Sequence, residues 1–275
     1  MQDKDGKAFS DASLLLAEDD LLNADIACRI LRKLGCHIEV ASDGFMATRM
    51  WEEGDFDLIL MDCEMAEMDG FDASRKIRER EKEAGRRHTP IVALSAHAPA
   101  EIRERCLAAG MDDVLAKPFR EALLRDTLQA WIGGEKPVRA AVDEQPVRLA
   151  AVSVDRRVLD SITAFQGSSG QLLLKSIVGR FADAAHTQLG LLRKNHTEGE
   201  TEEVRRIAHT LKSSSAALGA NCVSQCCAEI EKQASKGETA PLPAALSALE
   251  QELSAALRNL REIVGEREEL HRVHG

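Results

Sequence analysis

The sequence predicts an α/β domain built on a doubly wound, five-stranded parallel sheet, followed by an all-α helical bundle. Three observations carry this prediction. Short apolar runs alternate with helical patterns between residues 13 and 132, which is typical of β-α-β units. From residue 155 onward every periodic segment has helical spacing. The length of 275 residues fits about two domains, each large enough to bury its own core.

The first half of the chain contains a series of strand–helix repeats. Each repeat begins with a short apolar run and continues with an amphipathic stretch. The predicted strands are 14–17, 37–41, 58–61, 90–94 and 114–116. The predicted helices are 21–34, 45–53, 71–83, 99–109 and 120–132. Parallel strands connected in this way bind ligands at their carboxyl ends, so the residues that end each strand are candidates for a site.

The second half begins after a segment without periodicity. Glycines and prolines interrupt residues 133–151, which we predict to be a linker. The predicted helices beyond it are 171–195, 201–215, 220–235 and 242 to about 264. The predicted organisation is an α/β domain at 11–132, the linker, a helical domain at 152–264 and a charged tail at 265–275.

The composition of the chain argues against several classes of function and location. A formal net charge of −10 argues against a generic nucleic-acid-binding role. No run of 18 apolar residues is present and the amino terminus does not resemble a signal peptide, so we expect no membrane insertion and a cytoplasmic location. The seven cysteines include no C-x-x-C pair, and we expect reduced thiols that pack in the interior.

Polar residues follow four of the five predicted strands. They are Glu18, Asp19 and Asp20 after the first strand, Asp62 after the third, Ser95 after the fourth and Lys117 after the fifth. Taken singly, each fits a helix cap, a turn or a solvated side chain. Together they indicate a site, because clustered carboxylates require a cation and oxygen ligands favour Mg²⁺. Asp62 is the best-placed nucleophile towards a phosphoryl group, whose charge the metal, Ser95 and Lys117 would share.

Four segments of this half, LLLAEDDLLN, DLILMDCEMAEMDG, PIVALSAHA and GMDDVLAKPF, resemble the motif set of response-regulator receiver domains, which have a flavodoxin-like fold. The resemblance implies a role for each of six residues. Glu18 and Asp19 resemble the acidic metal-binding pair, Asp62 the phosphoacceptor and third metal-binding residue, Glu64 the residue whose backbone carbonyl completes the metal site, and Ser95 and Lys117 the pair that contacts phosphate.

The sequence departs from the receiver pattern at two positions. Ala66 stands where the family usually has proline, and Val114 where an aromatic switch residue is common. Signal coupling through a rotating ring is therefore not expected. His97 lies two residues beyond Ser95 and either overhangs the phosphorylation site or lies on the surface.

A second candidate site centres on His209. The apolar stripe of its predicted helix consists of Val204, Ile207, Ala208, Leu211 and Leu218. His209 is about 200° around the helix from Ile207 and from Leu211, so we expect an exposed imidazole. The same face carries Arg205, Lys212, Ser213 and Ala216. A neutral imidazole is a competent nucleophile near pH 7, although an exposed helical histidine is by itself more often a surface residue.

The segment around it, AHTLKSSSAALGA, resembles the A-H-x-L-K-G-S-S-x-x-x-G-A signature of histidine phosphotransfer (HPt) domains, and the resemblance extends over residues 152–264. It implies that His209 is the phosphohistidine and Lys212 its cationic neighbour. Ser213 replaces the usual glycine, and its hydroxymethyl group is expected to hinder docking slightly.

These features predict a phosphorelay intermediate of a two-component system. Asp62 would accept a phosphoryl group from the phosphohistidine of a sensor histidine kinase, and His209 would relay phosphoryl to or from a receiver aspartate of a downstream response regulator. No ATP-binding kinase domain is expected, because neither G-x-x-x-x-G-K-[ST] nor G-x-G-x-x-G occurs. Mg²⁺ is the expected cofactor.

Three alternatives stay open. The chain could be a metal-dependent phosphatase with an aspartyl-phosphate intermediate, although no substrate-capping insertion is evident. It could instead be a phosphate sink with an interaction-only helical bundle. The chain could also be the carboxyl-terminal part of a hybrid sensor histidine kinase, whereas Met1 favours a free-standing protein.

Overall fold

A computed structural model describes residues 9–95, 100–117, 121–133, 153–163, 168–237 and 240–274, and for 161–163, 168–170 and 266–274 it describes the backbone alone. The chain divides into two compact units, Met1–Glu144 and Gln145–Gly275. His97 and the predicted linker from residue 134 onward lie outside the described residues.

The first unit contains alternating strands and helices. Along the chain they are β1 (Ser13–Ala17), α1 (Leu21–Leu34), β2 (His37–Ala41), α2 (Gly44–Glu53), β3 (Leu58–Asp62), α3 (Gly70–Ala84), β4 (Ile91–Ser95), α4 (Ala100–Ala108), β5 (Asp113–Ala116) and α5 (Glu121–Trp131). The strands form one parallel sheet in the order β2-β1-β3-β4-β5. The predicted α/β fold is confirmed.

The sheet is covered on both faces, which explains the uninterrupted apolar runs within its central strands. Leu15 and Ile59 pack into the core on one face, together with residues of α2, α3 and α4. Leu16 and Leu60 pack into the core on the other face, together with residues of α1 and α5. Strands buried on both faces read as continuous apolar runs, as expected for a parallel sheet.

The register of the strands brings their carboxyl ends to one edge of the sheet. Ala17 pairs with Met61, Asp62 with Leu94, and Ser95 with Ala116. β3 and β4 each run one residue further than the sequence predicts, so Asp62 and Ser95 are the last residues of their strands.

The second unit is helical, as predicted. Its helices are α6 (Arg156–Thr163), α7 (Ser168–Glu198), α8 (Thr201–Ala217), α9 (Asn221–Ser235) and α10 (Leu242–His274). The apolar faces of α7 to α10 meet in a core that includes Phe181, Leu192, Leu211, Ile230 and Leu257, all nearly inaccessible to solvent. α8 packs along α9 after a turn in which Gly219 adopts a φ of 71°, a conformation that favours glycine.

The predicted end of the last helix near residue 264 is wrong, because α10 continues to His274. Residues 266–274 lack proline and consist largely of good helix formers such as Glu, Arg and Leu. Helix propensity therefore extends through the segment predicted as a charged tail.

Among the described residues, no helix combines the length and the apolar character that a membrane span needs. All seven cysteines lie in the described parts of the chain and are free thiols.

Candidate functional site

Asp62 ends β3 with its carboxylate buried at the edge of the sheet. Nζ of Lys117 lies 2.6 Å from Oδ2 of Asp62, and the backbone N–H of Glu64 donates to Oδ1 at 3.3 Å. The bond from Lys117 is short, as charge-assisted hydrogen bonds are, and with the longer bond from Glu64 it fixes the orientation of the carboxylate. Asp62 is thus held in place from both of its oxygens.

The loop after Asp62 folds back tightly on the strand. The backbone N–H of Gly70 donates to the carbonyl of Cys63 at 3.1 Å, and a Cβ added to Gly70 would lie 2.0 Å from the carbonyl oxygen of Asp62. Within the same loop, Glu67 has a φ of 64°. Only glycine fits at position 70, because any side chain there would push the loop away from Asp62.

Glu18 is buried beside Asp62 and contacts the same ammonium group, that of Lys117. Nζ of Lys117 lies 2.6 Å from Oε2 of Glu18, while the side-chain amide of Asn23 donates to Oε1 at 3.1 Å. Burial, and then the negative charge of Asp62, raise the pKa of Glu18 well above its usual range. Burial works against the charged form of Lys117, but the carboxylates of Asp62 and Glu18 outweigh it and raise its pKa.

Asp19 and Asp20 make different contacts although they are adjacent. Oδ2 of Asp19 accepts a hydrogen bond from the backbone N–H of Ala66 at 3.1 Å. Oδ1 of Asp20 instead caps α1, because it accepts from the backbone N–H groups of Leu22 and Asn23. The proline that receiver domains usually have at the Ala66 position lacks an N–H and could not make the bond to Asp19.

Three carboxylates face one another at this edge. Oxygens of Glu18, Asp19 and Asp62 lie within 4.8 Å of one another. Burial, and then the charge of Asp62, also raise the pKa of Asp19. Lys117 alone does not balance three carboxylates, and a set of oxygen donors with excess negative charge fits a hard divalent cation such as Mg²⁺.

The structure also describes three further residues that the sequence pattern singled out. Ser95 is half-buried at the end of β4, and its carbonyl accepts from the backbone N–H of Lys117 at 2.7 Å. Glu64 contributes the N–H described above, while the role of its carbonyl as a ligand stays a prediction. Val114 is buried in the core of the sheet face that α3 and α4 cover.

His209 lies on α8, where its side chain contacts a neighbouring helix of the same bundle, and its exposure to solvent stays a prediction. Its Nδ1 lies 2.9 Å from Oε1 of Glu231 on the neighbouring α9. Helical spacing shows which way His209 points from its own helix, but does not show that α9 places a side chain there.

Glu231 links His209 to Lys212. Its Oε1 faces His209, and Nζ of Lys212 donates to Oε2 at 2.5 Å. Burial opposes the charged form of this carboxyl, but the hydrogen bond and charge of His209, together with Lys212, lower the pKa of Glu231 to about 2. Glu231 is therefore a carboxylate at neutral pH.

This arrangement fixes which nitrogen of His209 can react. A carboxylate only accepts hydrogen bonds, so Nδ1 of His209 carries the proton that faces Glu231. In the neutral ring, Nε2 is then the nitrogen without a proton and therefore the nucleophilic one. The ammonium of Lys212 lies on the same face, where it can offset the charge of a group bound to His209.

Sequence reasoning missed Asn23, the N–H of Ala66 and Glu231. Asn23 lies five residues after Glu18, in the first turn of α1, and this position is the signal that could have identified it. The contact of Ala66 depends on the path of a loop, and that of Glu231 on the packing of two helices. Neither leaves a local pattern in the sequence.

Comparisons with known proteins agree with the division of the chain into an α/β unit and a helical unit. Residues 14–129 match the model of the response regulator receiver domain, and residues 176–261 match the model of the Hpt domain. The chain is 28% identical over 238 residues to the virulence sensor protein BvgS of Bordetella bronchiseptica, covering 84% of this chain and 19% of BvgS. It is 32% identical over 158 residues to the sensor protein GacS of Pseudomonas syringae, covering 58% of this chain and 17% of GacS.

The chain spans less than a fifth of the length of these two relatives. Among solved structures, it is similar to the receiver domain of the sensor histidine kinase PA1611 from Pseudomonas aeruginosa, which contains a magnesium ion coordinated in its active site cleft. The identity is 46%, with 44% of this chain and 98% of that chain covered and a TM-score of 0.41.

Proposed function

The chain belongs to the two-component signalling proteins, with a response regulator receiver domain followed by an Hpt domain, and we propose that it is a phosphorelay intermediate. Asp62 accepts a phosphoryl group from a kinase phosphohistidine, and His209 passes phosphoryl to, or takes it from, a receiver aspartate. The observation that carries the proposal is the contact of Asp62 with Lys117 inside a cluster of carboxylates, in a chain that also holds His209 against Glu231.

We propose Mg²⁺ as the cofactor of the first site. Glu18, Asp19 and Asp62 would hold it through carboxylate oxygens, and Glu64 through its backbone carbonyl. When bound, the ion supplies positive charge that offsets the carboxylates and the incoming phosphoryl oxygens.

The residues around Asp62 support its role as acceptor. One carboxylate oxygen of Asp62 forms the new O–P bond while the P–N bond to the donor histidine breaks and the imidazole leaves. Lys117, already 2.6 Å from Asp62, stabilises the negative charge on the transferred group. Ser95, at the end of the neighbouring strand, would donate its hydroxyl to a phosphoryl oxygen.

The second step uses the tautomer that Glu231 selects. Nε2 of His209 attacks the phosphorus of an aspartyl phosphate, and the aspartate leaves as a carboxylate. The ring becomes positively charged as the N–P bond forms, and Glu231 stabilises that charge through Nδ1. Lys212 faces the phosphoryl oxygens from the next turn of α8.

The proposed partners are a sensor histidine kinase, as donor, and the receiver of a downstream response regulator. We also propose a cytoplasmic location, with the receiver domain at 11–132, a linker at 133–151, the Hpt domain at 152–264 and a charged carboxyl-terminal segment at 265–275.

Phosphotransfer profiling tests the proposal as a whole. The full chain is incubated with each autophosphorylated sensor kinase of the source organism, and retained label is measured over time. We expect rapid transfer from one kinase or a few, and no label from ATP alone. The proposal fails if no phosphorylated kinase labels the chain while the chain continuously releases phosphate from small phosphoesters, because that result identifies a phosphatase.

Replacement of Glu231 by Gln is expected to slow phosphoryl transfer to His209 by about tenfold. Gln keeps the shape but replaces a charge-assisted hydrogen bond with a neutral one, a loss of about 1.4 kcal/mol. The rate is measured with a phosphorylated receiver as donor. Glu229→Gln is the matched control, because it makes the same chemical change at an exposed position of the same helix. Equal rates for the two variants would exclude a role for Glu231.

A further inference from the structure

Two buried thiols lie in contact directly beside the phosphoacceptor. Sγ of Cys63 is 3.7 Å from Sγ of Cys106, and both cysteines are free and buried. Cys63 is the residue after Asp62, at the end of β3, and Cys106 lies on α4. A thiol pair therefore joins the loop of the acidic site to a helix of the same domain.

α4 is attached to the domain mainly through Cys106. Of its nine residues, all of them described, only Cys106 is buried, and Ile102 packs partly against the same core. Arg103 pairs with Asp113, and Arg105 stacks on Phe71. Because one residue of this helix is buried, whereas the central strands are buried on both faces, local opening of α4 costs less than opening of the sheet and admits small molecules to the thiols.

We propose that peroxides oxidise Cys63 and Cys106 to a reversible disulfide between the two residues, and that this disulfide stops phosphorylation of Asp62. The inference goes beyond the phosphorelay function, because it adds a redox input to the receiver domain.

The reaction takes two electrons from the thiol pair. Cys106 attacks the peroxide oxygen, giving a sulfenic acid and one molecule of water. Cys63 then attacks the sulfenic sulfur, which forms the S–S bond and releases a second water, so that two thiols and one hydrogen peroxide give one disulfide and two waters. The hydrogen bond from Cys63, with Arg105 and Arg103, lowers the pKa of Cys106 and favours it as the first to react.

Bond formation must move the site. An S–S bond of about 2.0 Å requires the two sulfurs to approach by about 1.7 Å. The backbone of Cys63 is held on both sides, since its N–H donates to Leu94 and its carbonyl accepts from Gly70. Strain at Cys63 therefore reaches Asp62, the preceding residue, and the loop that carries Glu64.

The test compares the reduced and the peroxide-treated full chain. Non-reducing peptide mapping by mass spectrometry is expected to show a disulfide between Cys63 and Cys106. Mg²⁺-dependent labelling by acetyl phosphate should fall by about tenfold or more, since a displacement of about 1 Å at a reacting group can cost about a hundredfold. Dithiothreitol should restore the labelling.

Matched variants separate this disulfide from general oxidation. Cys63→Ser and Cys106→Ser should keep their labelling after peroxide, whereas Cys36→Ser, altered in the core on the other face of the sheet, should lose it as the wild type does. Absence of the linked peptide, or an equal loss in Cys106→Ser, overturns the proposal. If even the reduced chain takes no label, the proposed function fails, and the peptide map of the wild-type chain still decides whether the disulfide forms.

Discussion

Asp62→Asn is expected to reduce labelling of the receiver domain by acetyl phosphate by at least about a thousandfold, because removal of a nucleophile leaves little catalysis. Asn keeps the shape of Asp62 but cannot form an acyl phosphate. The measurement is the amount of protein-bound phosphate that is stable to acid and labile to base, after incubation of the full chain with Mg²⁺. Chelation of the metal by EDTA should have nearly the same effect on the wild-type chain, because the charge of Lys117 does not balance the three carboxylates of Glu18, Asp19 and Asp62.

Asp72→Asn is the matched control for this variant. Asp72 is exposed in the first turn of α3, where it pairs with Arg75. It is not one of the three carboxylates that cluster at the strand ends. Its labelling should equal that of the wild-type chain. Undiminished labelling of Asp62→Asn would show that another residue is the phosphoacceptor.

The fold of the first domain could be predicted from the sequence because its strands are buried on both faces. Leu15 and Leu16 are both inaccessible to solvent, one in each core, so the strand appears as an uninterrupted apolar run. The bundle was accessible from helical spacing. The end of α10 was not, because residues 265–275 were interpreted as a charged tail, whereas the helix formers among them continue the helix to His274.

The acidic site was accessible for a topological reason. All five strands are parallel, so residues that end different strands must meet at one edge, whatever the loops do. Asp62 and Lys117, separated by 55 positions in the chain, could therefore be placed together before their contact was known. The different contacts of Asp19 and Asp20 could not be predicted, since they depend on whether a carboxylate turns towards α1 or towards the loop at Ala66.

Contacts between helices and between core thiols follow a different rule. Periodicity identifies the apolar face of α8 and of α9, but the rotation of one helix against the other decides that Glu231 meets His209. In the same way, Cys63 and Cys106 each look like ordinary packing residues, and their contact depends on how α4 lies against β3. Such pairs follow from tertiary packing, and a local sequence pattern does not encode them.

His209→Gln is expected to lower the amount of phosphohistidine by at least about a hundredfold when the full chain is incubated with acetyl phosphate and Mg²⁺. The reason is that Gln has no nucleophilic nitrogen. Acyl phosphates of this kind label aspartate, so phosphate on His209 must come from Asp62 of the same or another copy. The measurement is label that is stable to base and labile to acid. The wild-type chain should contain it, and Asp62→Asn alone should not.

Mixing the two variants shows whether copies exchange phosphoryl groups. The His209→Gln chain is labelled on Asp62, freed from acetyl phosphate and added to the Asp62→Asn chain, which should then acquire phosphohistidine. A second change, His186→Gln, should not affect this acceptor, because His186 lies on α7 with its Nδ1 beside the carbonyl of Ala182. If His209 stays unlabelled in the wild-type chain and in the mixture, yet accepts phosphate readily from the receiver of another protein, then Asp62 and His209 serve separate transfers and the chain only holds the two domains together.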